Sequence, residues 1–202
     1  MNDVIVLDDI VTPTYQFHLN DMTRDYSFDW HFGPSNIHEN KTAYPEIFLD
    51  DNTIDSYQHT HLFYHDVVDG VDKHFNFVRP LVYALQDKFG LNKSELYRMK
   101  ANMLVNNRKF SKGKYNPAHV DGSYSHMVVV YYVNDSDGDT VIFNETLGSN
   151  FTKLTEKQRI SPKMGRAVLF PGKYFHASSN PIDNDTRTVF NLDFKVPGKI
   201  VL

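Results

Sequence analysis

His119-Val120-Asp121 places an imidazole and a carboxylate one residue apart. On an extended strand, residues i and i+2 project to the same face, so both groups enter one space. A second imidazole would complete a two-histidine, one-carboxylate face, a set that holds Fe(II) and leaves three coordination positions open. The stretch Phe170-Pro171-Gly172-Lys173-Tyr174-Phe175-His176 offers that imidazole at His176. Arg187 follows, and a guanidinium suits bidentate capture of a co-substrate carboxylate.

Taken singly, each residue has an ordinary reading. His119 reads as a surface or hydrogen-bonded histidine, Asp121 before Gly122 as a turn former, and His176 as a half-buried core histidine beside Phe170 and Phe175. Arg187 reads as a surface arginine. The ordered set carries the argument, because all must coincide.

The rest of the chain is compatible with a scaffold for them. At 202 residues the chain suits one domain with a substantial core. Apolar residues make up 41% and aromatics 14%, which is globular rather than disordered and favours a β-rich core. The net charge of −4 argues against a general nucleic-acid binder. There is no cysteine, so disulfides, thiolate zinc sites, iron–sulfur clusters and cysteine nucleophiles are excluded. The N-terminus lacks the basic region of a signal peptide, and no run of about 18 apolar residues marks a membrane helix. A soluble, cytoplasmic protein with no membrane partner is the expectation.

Along the chain, residues 4–7 read as a strand. Thr12-Pro13 reads as a helix start, with Thr as N-cap and Pro at the first helical position, running to about Arg24. Phe28, Trp30 and Phe32 alternate as in a strand, and 33–55 reads as a long loop. A strand is expected over 56–64, and a helix over 73–89 stopped by Gly90, with Pro80 marking its start or a kink. A long strand follows over 95–105, then a polar loop to 116. Further strands are expected over 126–133, 140–144, 167–170 and 187–196, with turns at 135–138 and 164–165. Helices in the first half and strands in the second suit a jelly roll supported by helices.

At this point a resemblance becomes specific. His119, Asp121, His176 and Arg187 together resemble the signature of the Fe(II)- and 2-oxoglutarate-dependent dioxygenases, in particular the prolyl-4-hydroxylase-like subgroup. Tyr131-Tyr132-Val133-Asn134-Asp135 followed by Gly138-Asp139-Thr140 is similar to that family's "YLN … GGET" stretch. The segment from Pro162 to Phe170 is similar to its "P..G.alvF" strand. The similarity spans roughly 95–196. It implies a mainly β fold with supporting helices, a double-stranded β-helix or distorted jelly roll. Residues 1–202 would then be a single domain, with about 1–92 as support and about 94–198 as the β core.

The resemblance also implies function. His119, Asp121 and His176 would hold Fe(II), and Arg187 would take the distal carboxylate of 2-oxoglutarate. Tyr132 aligns with a tyrosine that contacts the same carboxylate, and Thr140 is a further polar neighbour. With O2, and ascorbate as a candidate auxiliary reductant, the chain would hydroxylate a protein residue, an amino acid or another small metabolite, releasing succinate and CO2. One departure stands out: the family often carries a hydroxyl two residues after the arginine, and here Val189 takes its place. The Asn- and Asp-rich composition resembles that of phage-encoded members. Substrate and oligomeric state are not legible. The competing readings are a jelly-roll binding or structural module with a vestigial metal site, and a cupin-like metalloenzyme that uses no keto acid.

Other features compete for attention. His59 and His61 would share a strand face and, with His65, form either a second metal site or a solvated, substrate-facing edge. His126 is expected near the barrel rim. Arg108, Lys109, Lys112 and Lys114 form a basic loop, either solvated or a lip for an acidic substrate, and Tyr115 is a candidate wall residue.

Overall fold

The computed structural model describes residues 4–35, 44–68 and 71–196. Its elements in chain order are β1 (Ile5–Leu7), α1 (Pro13–Arg24), β2 (His31–Gly33), α2 (Glu46–Leu49), β3 (Gln58–His65), α3 (Phe75–Phe89), β4 (Glu95–Val105), β5 (His126–Tyr132), β6 (Thr140–Thr146), β7 (Glu156–Ile160), β8 (Ala167–Pro171), β9 (Tyr174–Ser178) and β10 (Thr186–Lys195).

Among the described residues, ten strands make two antiparallel sheets. The larger runs β1-β8-β5-β10-β4-β3-β2 and the smaller β7-β6-β9. This is the double-stranded β-helix with supporting helices that the resemblance implies.

Three apolar layers hold it together. Outside the large sheet, Leu19 of α1 and Val78, Leu81 and Leu85 of α3 pack on Met99 and Ala101 of β4 and on Phe190, Leu192 and Phe194 of β10. Between the sheets lie Val128, Val130, Tyr132, Ile142, Val168, Phe170 and Val189. Outside the small sheet, Ile47, Tyr115, Val141, Phe143, Phe175 and Ala177 form a third cluster.

The central strands are thus covered on both faces, and their alternation has a particular sense. On β10, Thr188, Phe190, Leu192 and Phe194 alternate with Arg187, Val189, Asn191 and Asp193. The apolar phase meets the helices, so the mostly polar phase faces the barrel interior. β4 repeats this, with Arg98, Lys100, Asn102 and Leu104 inward.

Register aligns these inward residues in rows across the sheet. Leu104 pairs with Arg187. Asn102, Val189 and Tyr132 form a row, then Lys100, Asn191 and Val130, then Arg98, Asp193 and Val128. Arg187 and Asp193 are six residues apart, so about 20 Å separates the two ends of this ladder.

Several local expectations change. α1 starts at Pro13, but Thr12 makes no side-chain cap; its carbonyl accepts the Gln16 N–H at 3.0 Å. Pro80 lies inside α3, which runs through it to end at Gly90 with φ 67°, the left-handed conformation that glycine adopts without strain. The strand around Phe28 shrinks to His31–Gly33, because Asp25 accepts the Ser27 N–H at 2.8 Å and turns the chain. Phe28 then packs on Trp30, His61 and Phe63 as a core ring.

The expected loop over 33–55 contains the short α2, and its residues 36–43 lie outside the described ones. Two strands went unforeseen. β7 is polar along most of its length because it is an edge strand, and β9 is hidden in the segment that carries His176.

Leu85 is fully buried beneath the large sheet. Leu85→Ala is expected to lower unfolding free energy by about 2–5 kcal/mol through lost burial and a residual cavity. Denaturant titration checks this, and a loss below about 1 kcal/mol would contradict the packing described.

Candidate metal centre

The site forms where the two sheets face each other at one end of the barrel. His176 comes from β9. His119 is joined to it by an isolated bridge, with paired His119 and His176 N–H···O bonds of 2.9 Å in each direction. The full strand expected at His119-Val120-Asp121 is therefore one bridge followed by a bend at Asp121. Pro117 has no N–H to extend the ladder. The i, i+2 relation still delivers both side chains to one place: the ligand atoms of His119, Asp121 and His176 all lie within 4.8 Å of one another.

Each ligand is oriented by a neighbour. The His119 Nδ1 lies 3.3 Å from the Pro117 carbonyl and the His176 Nδ1 3.2 Å from the Tyr174 carbonyl. A proton on Nδ1 donated to those carbonyls leaves Nε2 as the coordinating lone pair. Arg98 donates from Nη2 to Asp121 Oδ1 at 2.5 Å and lies 2.8 Å from Asp193 Oδ2. The Tyr124 hydroxyl donates to the same Asp193 oxygen at 3.2 Å. One guanidinium thus ties the Asp121 carboxylate to the large sheet.

The other Asp121 oxygen, Oδ2, faces the His176 Nε2 at 3.2 Å, and apart from each other neither atom has a partner. Buried polar atoms are rarely left so. A divalent cation between them satisfies both, so the donor set fits the metal it suggests.

Electrostatics prepares the same state. Burial, reinforced by His176, drives the His119 pKa down to about 3. Burial opposes ionisation of Asp121, but the contact with His176 and the charges of Arg98 and Lys100 outweigh it and hold the carboxyl well below its ordinary value. Near neutrality His119 is unprotonated and Asp121 ionised, the forms that bind metal.

From this end a pocket runs along the inward rows of β4 and β10 to Arg187. Its walls include His119, His176, Lys100, Asn102, Asn191, Val189, Thr140 and Arg187. Arg187 is 3% exposed. It donates from Nε to the Gly138 carbonyl and from Nη2 to Thr140 Oγ1, both at 2.6 Å. Tyr132 sits behind Thr140, donating its hydroxyl to the same Oγ1 at 2.7 Å. Val189 is an apolar stretch of wall between Arg187 and the metal end.

The remaining histidines do not join the site. His61 is buried against Phe28 and Phe63, with Nδ1 2.9 Å from the Asp29 carbonyl and Nε2 3.2 Å from Asp72. It belongs to the helix-side core, not to a solvated or substrate-facing edge. Among the described residues, the only group of three or more potential ligands close enough to share a metal is His119, Asp121 and His176. His126 is buried, with Nδ1 2.7 Å from the Tyr124 carbonyl.

Arg108, Lys109 and Lys112 are exposed and Lys114 binds the Asp51 carbonyl; none of them lines the pocket. Tyr115 is no wall residue. Its ring packs on Phe143 and its hydroxyl donates to Asp50 at 2.7 Å, within the cluster outside the small sheet. The residues missed from sequence are Arg98, Lys100, Asn102, Asn191 and Asp193. Their signal was present: polar side chains on the phase opposite an apolar one, in step with Arg187.

No protein-family model and no curated protein sequence matches the chain. Solved structures do. An oxidoreductase of the 2OG-Fe(II) oxygenase family from Burkholderia pseudomallei is 11% identical with a TM-score of 0.63, covering 95% of this chain and 84% of its own. The epimerase SnoN from nogalamycin biosynthesis, solved with Fe3+, alpha ketoglutarate and nogalamycin RO, is 9% identical with a TM-score of 0.61, covering 96% and 79%. A prolyl hydroxylase from Trichoplax adhaerens, in complex with a hypoxia inducible factor peptide fragment, is 14% identical with a TM-score of 0.57, covering 96% and 84%. At these identities the shared property is the fold, and this chain has the fold of the 2-oxoglutarate and iron oxygenases. No helix among the described residues is long and apolar enough to cross a membrane.

The depressed His119 pKa has a consequence for the metal-free protein. The unfolded chain gains a proton on this histidine below about pH 6.5, whereas the folded chain resists it down to about 3. The unfolded state therefore binds more protons in that window, and stability falls as pH falls through it. His119→Leu is expected to flatten the pH dependence of stability between those values, read by chemical denaturation at a series of pH values. An unchanged slope would contradict the burial of a neutral imidazole.

Proposed function

We propose that this chain is an Fe(II)- and 2-oxoglutarate-dependent oxygenase that hydroxylates a small molecule or a protein residue. The observation that carries the reading is the pair of facing ligand atoms on Asp121 and His176, with no partner but each other, at one end of a pocket whose other end is a buried arginine. His119, Asp121 and His176 would hold the iron, and the bound metal with its keto acid and O2 would supply oxidative chemistry coupled to release of succinate and CO2.

The protein's own part is positioning. Arg98 fixes one Asp121 oxygen, which leaves the other free to coordinate. The carbonyls of Pro117 and Tyr174 fix the imidazole orientations. Arg187 has no carboxylate within ion-pair distance among the described residues, so its charge is available to the distal carboxylate of 2-oxoglutarate. The neighbours whose names point to alpha ketoglutarate or 2OG chemistry support that assignment.

Thr140 accounts for the missing hydroxyl at Val189. Its oxygen accepts from both Arg187 and Tyr132, which uses its two lone pairs. Its one proton must point elsewhere, and Thr140 lines the pocket. We assign that proton to the co-substrate carboxylate, with Tyr132 acting through Thr140 rather than touching the ligand.

The vestigial-module reading is disfavoured by the same orphaned atoms. Buried unpaired polar groups are costly, and a purely structural barrel gains nothing by keeping them. The reaction is less constrained than the cofactors: the neighbours include an epimerase as well as a prolyl hydroxylase.

Anaerobic calorimetry tests the roles. His176→Ala should abolish Fe(II) binding. Arg187→Met should spare iron and weaken 2-oxoglutarate at least a hundredfold, a few kcal/mol for a charge-assisted pair. Thr140→Val should weaken 2-oxoglutarate by about tenfold, the value of one hydrogen bond. Equal loss of iron and keto acid in all three folded variants would contradict the assignment. Aerobic turnover without succinate would favour a cupin-like enzyme.

A further inference from the structure

Lys100 lends its charge to Asp121, but no ligand has yet been assigned to its ammonium. It projects into the pocket from β4 and lines it together with His119 and His176. Among the described residues it makes no ion pair. Its cross-strand neighbour Asn191 makes no side-chain hydrogen bond, and its Oδ1 is buried without a partner. One row further, Asn102 donates to Gln58 at 2.7 Å while its own Oδ1 is buried and unpartnered. An unpaired ammonium beside two incompletely bonded amides, inside a pocket, is a costly arrangement unless a ligand completes it.

We propose that Lys100, with Asn191 and Asn102, is the subsite that recognises a carboxylate on the primary substrate. The inference rests on the oxygenase reading and deepens it.

Two observations separate this subsite from the co-substrate. 2-Oxoglutarate has two carboxylates, and both are already matched, one by the metal and the other by Arg187. Lys100 also stands in the row of Asn191 and Val130, two rows from the Leu104–Arg187 pair and next to the Arg98 row at the metal end.

Charge agrees. Iron(II) and the keto-acid dianion cancel. The carboxylates of Asp121 and Asp193 then stand against Arg98, Lys100 and Arg187, which leaves one positive charge for the substrate to neutralise.

A carboxylate can come from a free amino acid or from an acidic side chain in a peptide. The probes separate these sources: L-glutamate, L-proline and L-leucine, their carboxamides, and a capped peptide with one central glutamate beside its glutamine counterpart. Each is titrated by anaerobic calorimetry into protein loaded with Fe(II) and 2-oxoglutarate, and into the metal-free protein.

Acids should bind at least tenfold tighter than their amides, with the preferred source shown by whether free acids or the peptide bind. Lys100→Met should remove that preference while weakening 2-oxoglutarate far less than Arg187→Met does, and Lys100→Arg should restore much of it. Acids that bind no tighter than amides, including a panel that does not bind, overturn the proposal. So does a Lys100→Met variant that loses as much 2-oxoglutarate affinity as Arg187→Met, since Lys100 would then serve the co-substrate. Failure of the unaltered protein to take up iron and 2-oxoglutarate before any probe is added is a separate result, and it overturns the oxygenase reading instead.

Discussion

β4 and β10 are covered on both faces, and the site depends on that constraint. Their outward phase is locked against α1 and α3 by large apolar side chains, so a one-residue slip would expose that whole set. The inward phase has no freedom of register left. Arg98, Lys100, Asn102, Arg187, Asn191 and Asp193 are held at fixed rows inside the barrel, and Arg98 reaches from its row to the Asp121 carboxylate. The small sheet contributes His176, and the bridge to His119 brings the remaining ligand. The candidate metal-ligand set is therefore built across both sheets and is set by packing on the far side of the larger one.

The polar interior has an energetic logic. Two buried carboxylates, two imidazoles, two arginines and a lysine are expensive to desolvate unless paired. Arg98 offsets part of this by bridging Asp121 and Asp193. Imbalances survive at Asp121 Oδ2, His176 Nε2, Asn102 Oδ1, Asn191 Oδ1, Arg98 Nε and Asp193 Oδ1, and the Lys100 ammonium makes no ion pair among the described residues. The ligands proposed here, a divalent cation, a dicarboxylate and an acidic substrate, would each complete one of those imbalances.

Much of this was legible in the sequence because the relevant signals are local or periodic. The pairing of His119 with Asp121, the strand that carries Arg187 and the helix stop at Gly90 all follow from spacing and from single-residue chemistry. What was not legible depends on long-range partners. His61 read as an edge histidine, since nothing near it in sequence reveals Phe28 or the Asp72 carboxylate. Tyr115 read as a wall residue, whereas Phe143 and Asp50 draw it to the outside of the small sheet. β7 escaped notice because an edge strand needs no apolar alternation. The interior set on β4 and β10 was visible only as polar residues in a strand; that they face inward follows from the helices packed on the other side.

The most direct measurement is a crystal structure of the protein grown anaerobically with Fe(II) and 2-oxoglutarate, with iron located by its anomalous scattering. The account predicts one iron coordinated by His119, Asp121 and His176, with 2-oxoglutarate running from it to Arg187 and the Thr140 hydroxyl, and with Lys100 left free. Iron bound elsewhere, or a keto acid whose distal carboxylate pairs with Lys100 in place of Arg187, would contradict it.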